Sequence, residues 1–248
     1  MKRIIRLIKI FFSVINKVNN WPIYIADYLG LINEDYILKI DQIRLFVRPR
    51  SIDRWVVTED LLLDQYQINK VKNEILNFID IGGHIGTTTI NVLTKFKNAH
   101  AVIFEPNKDN LVMLKNNLIL NKLNKRTTVI DKAITGSKNS KIKLYNRHDS
   151  ANFSSIIKTT SYSDVDNFYF GNLEKYLGKK GNLLKIDIEG GEYEFFTDMF
   201  VSLLKRFDII ILEYHNVDKK RNLQYLTNFL EMNHFPFQLF KNILLIKS

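Results

Sequence analysis

The hydrophobic positions after residue 75 alternate between short apolar runs and longer stretches with helical spacing. The runs predict strands, and the stretches predict helices. Strands are predicted at 75–81, 101–104, 127–130, 183–188 and 208–212, and helices at 85–97, 107–121 and 223–232. This alternation predicts βαβ units and a mostly parallel sheet. A hairpin at 235–240 and 243–246 adds an antiparallel strand at one edge. An insert at 140–180, with short strands and a helix near 173–177, helps to cover a site.

The first 70 residues lack this rhythm and are predicted to form an N-terminal extension. Its predicted elements are a basic amphipathic helix within 1–20, a short helix at 23–30, a β-hairpin at 36–40 and 43–47, and a helix at 54–66. The predicted organisation is therefore an extension, 1–70, followed by one α/β domain, 71–248.

Composition excludes some chemistry and leaves other questions open. The chain has 248 residues and no cysteine, which excludes disulfides, thiolate zinc sites and cysteine nucleophiles. The lack of cysteine fits a reducing compartment, so we expect a cytoplasmic protein. The formal net charge is +10, but the basic residues are spread along the chain. We interpret them as a solvated basic surface and expect no nucleic-acid partner.

The segment 1–20 carries five basic residues and no acidic one, with apolar residues between them. It is too short and too charged to span a bilayer. Lys9 interrupts the apolar part and no small-residue cleavage site follows, which argues against a signal peptide. Two interpretations stay open. The helix lies on the anionic inner face of the cell membrane, or it packs on the domain or in a dimer.

A glycine-rich turn follows the strand at 75–81. It contains Gly82, Gly83 and Gly86, and Asp80 lies near the end of the strand. Aligned with the dinucleotide fingerprint G-x-G-x-x-G, the turn has Ile81 in place of the first glycine, which disfavours NAD. Asp80 would repel a diphosphate but can serve the ammonium group of S-adenosylmethionine (SAM). A tight strand-to-helix turn without a ligand is the alternative.

Glu105 ends the next predicted strand, 25 residues after Asp80, and Pro106 stops that strand. A carboxylate at this position can accept two hydrogen bonds from a ribose diol. The spacing fits one βαβ unit of about 30 residues. The alternative is an acid that caps the helix at 107–121.

Charged residues also end the last two parallel strands. Lys185 and Asp187 share one face of the strand at 183–188, so an ion pair between them is one explanation. Glu189 is harder to explain by structure alone, while Glu192 could favour the first turn of a helix. His215 follows the strand at 208–212 and is a candidate base near neutral pH, or else a surface residue.

These motifs resemble those of the FkbM family of SAM-dependent methyltransferases, and the resemblance covers most of the chain. It rests on the glycine turn and on the following strings: Asn20-Trp21-Pro22, Trp55 to Tyr66 with Glu59, Phe104-Glu105-Pro106-Asn107, Asn116-Asn117-Leu118 with Asn121, and Lys185-Ile186-Asp187-Ile188-Glu189-Gly190-Gly191-Glu192. The last string is the most specific. Gly83-His84 stands where the family pattern has Ala-Asn, and Gly191 stands where it has Ala, so the role of His84 is open.

The resemblance implies a Rossmann-like class I methyltransferase core, with a mostly parallel seven-stranded sheet and an antiparallel C-terminal hairpin strand. It implies SAM as cofactor and O-methylation of a hydroxyl on a sugar, glycan, glycolipid precursor or secondary metabolite. The expected cofactor-binding residues are Asp80, Gly82, Gly83, His84, Gly86, Glu105, Pro106 and Asp131, the last near the adenine. The expected catalytic residues are Asp187, Glu189 and His215. Such residues could also bind a divalent metal, but the sequence assigns no metal ligand.

Three other functions are weighed against this one. An NAD-dependent oxidoreductase is disfavoured by the broken fingerprint. A non-catalytic, membrane-associated SAM-binding protein is disfavoured by the many acids at strand ends. Amino-group methylation of nucleic acids is disfavoured because the chain lacks the Asn/Asp-Pro-Pro-aromatic signature of such enzymes. Asp187-Ile188-Glu189-Gly190 stands at that place.

Overall fold

The computed structural model describes residues 2–146, 154–155 and 162–247. The α-helices are α1 (Lys2–Lys17), α2 (Trp21–Tyr28), α3 (Asp53–Val57), α4 (Thr87–Lys95), α5 (Lys108–Leu120), α6 (Val201–Leu204) and α7 (Leu223–Met232). The strands are β1 (Tyr36–Ile40), β2 (Ile43–Val47), β3 (Asn77–Ile81), β4 (His100–Phe104), β5 (Thr127–Ile130), β6 (Ala133–Thr135), β7 (Lys141–Asn146), β8 (Ser154–Ser155), β9 (Tyr162–Tyr169), β10 (Asn182–Ile186), β11 (Ile209–Glu213), β12 (Phe237–Phe240) and β13 (Ile243–Lys247).

The central sheet has seven strands in the order β12-β13-β11-β10-β3-β4-β5. Strands β11, β10, β3, β4 and β5 run parallel. Strand β13 is antiparallel to β11, and β12 is antiparallel to β13. All five residues of β10 are buried, as expected of a parallel strand covered on both faces. The predicted fold class is confirmed.

Two predicted helices differ from the structure. The helix expected at 54–66 is α3 followed by a π-helical turn, Thr58–Leu62, and Asp64 then takes a positive φ of 49° that ends it. In the insert, the helix expected near 173–177 is a 3-10 helix, Phe170–Tyr176. Strands β6, β9, β7 and β8 form a separate sheet there, and part of the predicted insert lies outside the described residues.

The extension packs directly on the α/β domain. The β1–β2 hairpin meets α5 through the fully buried side chain of Asn117. Its Oδ1 accepts from the N–H of Phe46 at 2.6 Å, and its Nδ2 donates to the carbonyl of Ile85 at 2.9 Å. Val14 and Val18 of the N-terminal segment belong to the same hydrophobic cluster as core residues of the domain. The hairpin and α1 are thereby fixed on the domain surface.

The outer face of α1 carries large apolar side chains that are exposed: Ile5, Leu7, Ile8, Phe11, Phe12 and Ile15. Within the part of the chain that the structure describes, none of the helices has both the length and the apolar character needed to cross a bilayer.

Candidate functional site

The glycine turn lies between the ends of β4 and β10. The N–H groups of Gly82 and Gly83 both donate to the carbonyl of Phe104 at 3.0 Å. Gly82 has a φ of +85°, and a Cβ there would lie 1.9 Å from the carbonyl oxygen of Asp187. Only glycine allows this approach, because any other residue would push the two loops apart.

A cleft of about 880 Å³, counting its part open to solvent, lies above this turn. Seven predicted site residues line it: Gly82, Gly83, His84, Glu105, Pro106, Asp187 and Glu189. The other four, Asp80, Gly86, Asp131 and His215, are not among the lining residues. Asp131 forms an ion pair with Lys108 at the surface.

Glu105 is buried at the end of β4 and faces the start of α5. One carboxylate oxygen accepts from the N–H of His84, and the other from the N–H of Asn107, both at 2.8 Å. Burial raises the pKa of Glu105 to about 7. The helix cap is Asn107, whose side chain accepts from the N–H groups of Asp109 and Asn110. The side chain of Asn110 donates a third hydrogen bond to Glu105. Since a carboxylate has about four acceptor positions, Glu105 keeps one for a further donor.

His84 lies in the cleft wall with a positive φ of 47°. Neither ring nitrogen has a hydrogen-bond partner among the described residues, although Nε2 is 3.4 Å from a carboxylate oxygen of Asp53. Burial lowers the pKa of His84 to about 4, so the ring is neutral at pH 7. Asp53 itself is fully buried and paired with Arg48 at 2.8 Å. The extension thus contributes to the wall of the cleft.

Lys185 is the buried cation behind the turn. Its Nζ donates to the carbonyl of Gly82 at 2.7 Å and lies 3.4 Å from Asp80 and 3.6 Å from Asp187. The ion pair considered for Lys185 and Asp187 is therefore present, and Asp80 shares it. Asp80 also accepts from the Thr89 hydroxyl at 2.6 Å, and burial raises its pKa. Burial opposes ionisation of Asp187 as well, but the charges of Lys185 and His215 hold its pKa below the ordinary value.

Asp187, Glu189 and His215 come together beside the cleft, after β10 and β11. One ligand atom from each lies within 4.8 Å of the other two. His215 Nδ1 is 2.7 Å from a carboxylate oxygen of Glu192, which is fully buried. Burial alone would lower the pKa of His215, but the bond to Glu192 and the neighbouring carboxylates raise it to about 9. Glu192 begins a 3-10 helix, Glu192–Glu194, as its predicted place in the first turn of a helix allows, and its buried side chain is also the partner of His215.

Three further side chains, to which the sequence analysis assigns no role in the site, belong to this region: Asp60, Tyr66 and Glu213. The Tyr66 hydroxyl lies 2.8 Å from both Asp187 and Glu213. Asp60 lines the cleft and accepts from Thr88 at 2.8 Å. Burial raises the pKa of Asp60 to about 7 and that of Glu213 to about 8. Acids within an apolar segment are a signal that could have drawn attention to Asp60.

The sequence matches the methyltransferase FkbM domain over residues 80–244, which is most of the α/β domain. This chain belongs to the FkbM methyltransferase family. The cofactor of this FkbM methyltransferase is SAM, and the enzyme is a SAM-dependent methyltransferase. The family assignment decides against the oxidoreductase interpretation. No protein of curated function matches the sequence significantly.

Solved structures similar to this FkbM methyltransferase have low sequence identity to it. A precorrin-6y C5,15-methyltransferase from Geobacter metallireducens has 14% identity and a TM-score of 0.44, over 73% of this chain and 85% of that chain. The TYW2 protein of P. horikoshii, solved with MeSAdo, has 10% identity and a TM-score of 0.47, over 89% and 77%. An O-methyltransferase family protein from Burkholderia thailandensis has 10% identity and a TM-score of 0.43, over 78% and 58%.

Proposed function

We propose that this enzyme transfers the SAM methyl group to a hydroxyl oxygen of a sugar, glycan, glycolipid precursor or secondary metabolite. The observation that carries the proposal is the position of Asp187, Glu189 and His215. They lie on one side of the glycine turn, while Glu105 lies on the other, because β10 and β4 flank β3. A nucleoside held at Glu105 would extend across the turn toward these three side chains.

The cofactor is proposed to occupy the cleft in one orientation. Glu105 accepts hydrogen bonds from the ribose diol, and Pro106 lies beside it. The amino-acid end of SAM meets the glycine turn, with Gly82, Gly83, His84 and Gly86 around it. Asp80 lies behind the turn, where it is paired with Lys185, and its negative charge is proposed to attract the ammonium group of SAM. Asp131 lies on the side of the adenine.

Methyl transfer is an in-line displacement at the sulfonium carbon. The acceptor oxygen forms a bond to the methyl carbon, the carbon–sulfur bond breaks, and its electron pair stays on sulfur. A hydroxyl is a weak nucleophile, so its proton must pass to a base as it attacks. Asp187, Glu189 and His215 are proposed to surround the hydroxyl, and one of the two carboxylates receives the proton, because the pKa of about 9 keeps His215 protonated at pH 7. Alignment of oxygen, carbon and sulfur supplies much of the rate.

The charge of the cleft supports an uncharged acceptor and disfavours nucleic acid. Four acids line it, namely Asp60, Glu105, Asp187 and Glu189, against the two lysines Lys132 and Lys185. Lys185 is already paired with the buried Asp80 and the partly exposed Asp187. A polyphosphate backbone would meet repulsion here, because its binding depends on cationic contacts. Neutral sugar hydroxyls would meet no such repulsion.

The enzyme is further proposed to be cytoplasmic and to contact the inner face of the cell membrane through residues 1–20. The exposed apolar side chains of α1, with Lys9 among them and no acid on the helix, support this contact. Co-sedimentation with phosphatidylglycerol vesicles tests it. The double variant Phe11→Ser, Phe12→Ser should stay in solution. Met232→Ser, which changes an even more exposed apolar side chain on α7, should sediment as wild type does. Wild type that does not sediment contradicts the contact.

The proposed reaction is tested with SAM labelled in its methyl group. The enzyme is offered nucleotide sugars, lipid-linked glycans, tRNA and DNA, and products are analysed by mass spectrometry and NMR. We expect a methyl ether on a sugar or other hydroxyl, lost in Glu105→Ala and retained in the exposed-site control Glu231→Ala. Label transferred to RNA or DNA, or to carbon or nitrogen, would overturn the proposed acceptor class.

A further inference from the structure

The side chains of Asp187, Glu189 and His215 have the arrangement of a three-ligand site. Strands β10 and β11 are adjacent and parallel, so the loops that follow them lie at the same edge of the sheet. Two carboxylate oxygens and one ring nitrogen converge there, all within 4.8 Å of one another. His215 Nε2 is 3.7 Å from Glu189 Oε2. That separation is longer than a hydrogen bond, and an ion bound at about 2.0–2.2 Å from each ligand atom fits between two such atoms.

Glu192 fixes the direction of the imidazole from behind. Its Oε1 is 2.7 Å from His215 Nδ1 and accepts from the His215 N–H at 2.9 Å. Nδ1 is therefore engaged, and Nε2 is the ring nitrogen that faces Glu189. Histidines that bind metals nearly always donate their other ring N–H to a carboxylate or carbonyl in this way.

Buried negative charge at this place exceeds the positive charge. Glu192 is fully buried, and its Oε2 has no hydrogen-bond partner among the described residues. Lys185 is the nearby ammonium group, but it is shared between Asp80 and Asp187. Among the described residues, the buried Glu192 is ion-paired with His215 alone, and Glu189 Oε2 lies 3.7 Å from the same imidazole. Burying carboxylates without a counter-charge is costly, and a divalent cation supplies one.

We propose that Asp187, Glu189 and His215 bind one divalent metal ion, with Glu192 orienting the histidine. Carboxylates suit Mn²⁺ and Mg²⁺, and an imidazole favours Mn²⁺ of the two. Three protein ligands leave coordination positions open for a hydroxyl oxygen. Metal coordination lowers the pKa of a bound oxygen acid, and it also orients that oxygen. This use of the ion in catalysis rests on the proposed function, whereas its binding does not.

The test is a Mn²⁺ titration of the full-length protein with S-adenosylhomocysteine (SAH) present, without any acceptor. Free Mn²⁺ is measured by its EPR signal. We expect one saturable ion per chain and binding at least about 10-fold weaker in Glu189→Gln and His215→Gln. Two matched controls, Glu231→Gln and His234→Gln, change the same residue types at exposed positions on or after α7 and should bind as wild type does. Absence of saturable binding by wild type, or equal binding by all variants, would overturn the proposal.

Glu192→Gln separates orientation from ligation. A glutamine can keep a hydrogen bond to the imidazole but lacks the carboxylate charge, so we expect Mn²⁺ affinity to fall about 10- to 100-fold. Unchanged affinity contradicts the role given to Glu192. SAH affinity is measured in the same samples and is expected to be unaffected. Failure of the metal site then appears as lost Mn²⁺ binding alone, while failure of the proposed function appears as methyl transfer to another class of acceptor.

Discussion

Lys185 Nζ donates a hydrogen bond to the carbonyl oxygen of Gly82 at 2.7 Å. This contact ties the end of β10 to the glycine turn after β3. The same ammonium group lies between the carboxylates of Asp80 and Asp187. One buried cation therefore holds together the two loops that form the centre of the cleft. The lysine of the most specific sequence string is thus a positioning residue.

Replacement of this cation should strongly destabilise the fold. Lys185→Met leaves Asp80 and Asp187 without their shared partner, and removing one member of a buried ion pair costs about 3–5 kcal/mol. Urea unfolding at pH 7 measures the loss. The exposed Lys125→Met serves as the matched control, with a change of about 0.5 kcal/mol or less. Equal stability of the two variants would show that Lys185 does not hold the loops together.

Substitution of Gly82 should reduce stability and SAH binding by more than the strain of its positive φ angle alone would cause. Gly30 has a similar φ of +73°, but no heavy atom lies within 4 Å of the position that a Cβ would take, whereas a Cβ at Gly82 would meet Asp187. Gly30→Ala should cost about 1–2 kcal/mol of stability, because alanine disfavours the left-handed conformation. Gly82→Ala should cost more and also weaken SAH binding. Identical effects of both on calorimetric SAH titration would contradict a steric role for Gly82.

The positions of the central strands along the chain could be predicted from the sequence because buried parallel strands give apolar runs with distinct ends. Glu105, Asp187 and Glu189 lie beside the cleft as their positions at strand ends predict. Asp80 does not, because its side chain turns to Lys185 and Thr89 behind the glycine turn. Spacing along a strand gives the edge at which a residue lies, but not the partner that its side chain finds.

Burial of Glu105 predicts a particular pH dependence of stability. Its pKa rises from 4.5 to about 7 in the folded protein, so the folded state holds this proton more tightly than the unfolded chain. The stabilising contribution is fully present below about pH 4.5 and is lost as pH rises through 7. Asp60, whose pKa is also raised to about 7 by burial, acts in the same direction.

Between about pH 5 and 8, the unfolding free energy of the ligand-free protein should therefore fall less in Glu105→Gln than in wild type. Part of the fall should persist because Asp60 is unchanged. Urea titrations at several pH values check this. An equal pH dependence in the variant and in wild type would mean that Glu105 ionises readily in the folded protein and would contradict the raised pKa.

The contact between the extension and the domain depends on Asn117. Asn117→Leu leaves the N–H of Phe46 and the carbonyl of Ile85 without their partner, and each unsatisfied buried group costs about 1–3 kcal/mol. Asn116→Leu is the matched control, since Asn116 precedes it on the same helix and is exposed. Thermal unfolding should give a clearly lower melting temperature for Asn117→Leu than for Asn116→Leu. Similar melting temperatures would contradict the role of Asn117.

The side of the site formed by the extension could not be derived from sequence spacing. Tyr66 lies about 120 residues before Asp187 in the chain, and their hydrogen bond forms only because the β1–β2 hairpin and the π-helical turn bring the extension over the cleft. Glu192 shows the same limit. Its position after a strand end is that of an acid that favours the dipole of the next helix, yet its side chain is buried against His215.

The most direct measurement is calorimetric titration of the full-length protein with SAH, alongside Glu105→Ala and the exposed-site control Glu231→Ala. We predict saturable binding of one SAH per chain by wild type and by Glu231→Ala, and a large loss of affinity in Glu105→Ala, because the ribose then lacks its carboxylate. Folding of each variant is checked by circular dichroism. Absence of SAH binding by folded wild type, or full affinity in Glu105→Ala, would contradict a cofactor site built on the glycine turn and Glu105.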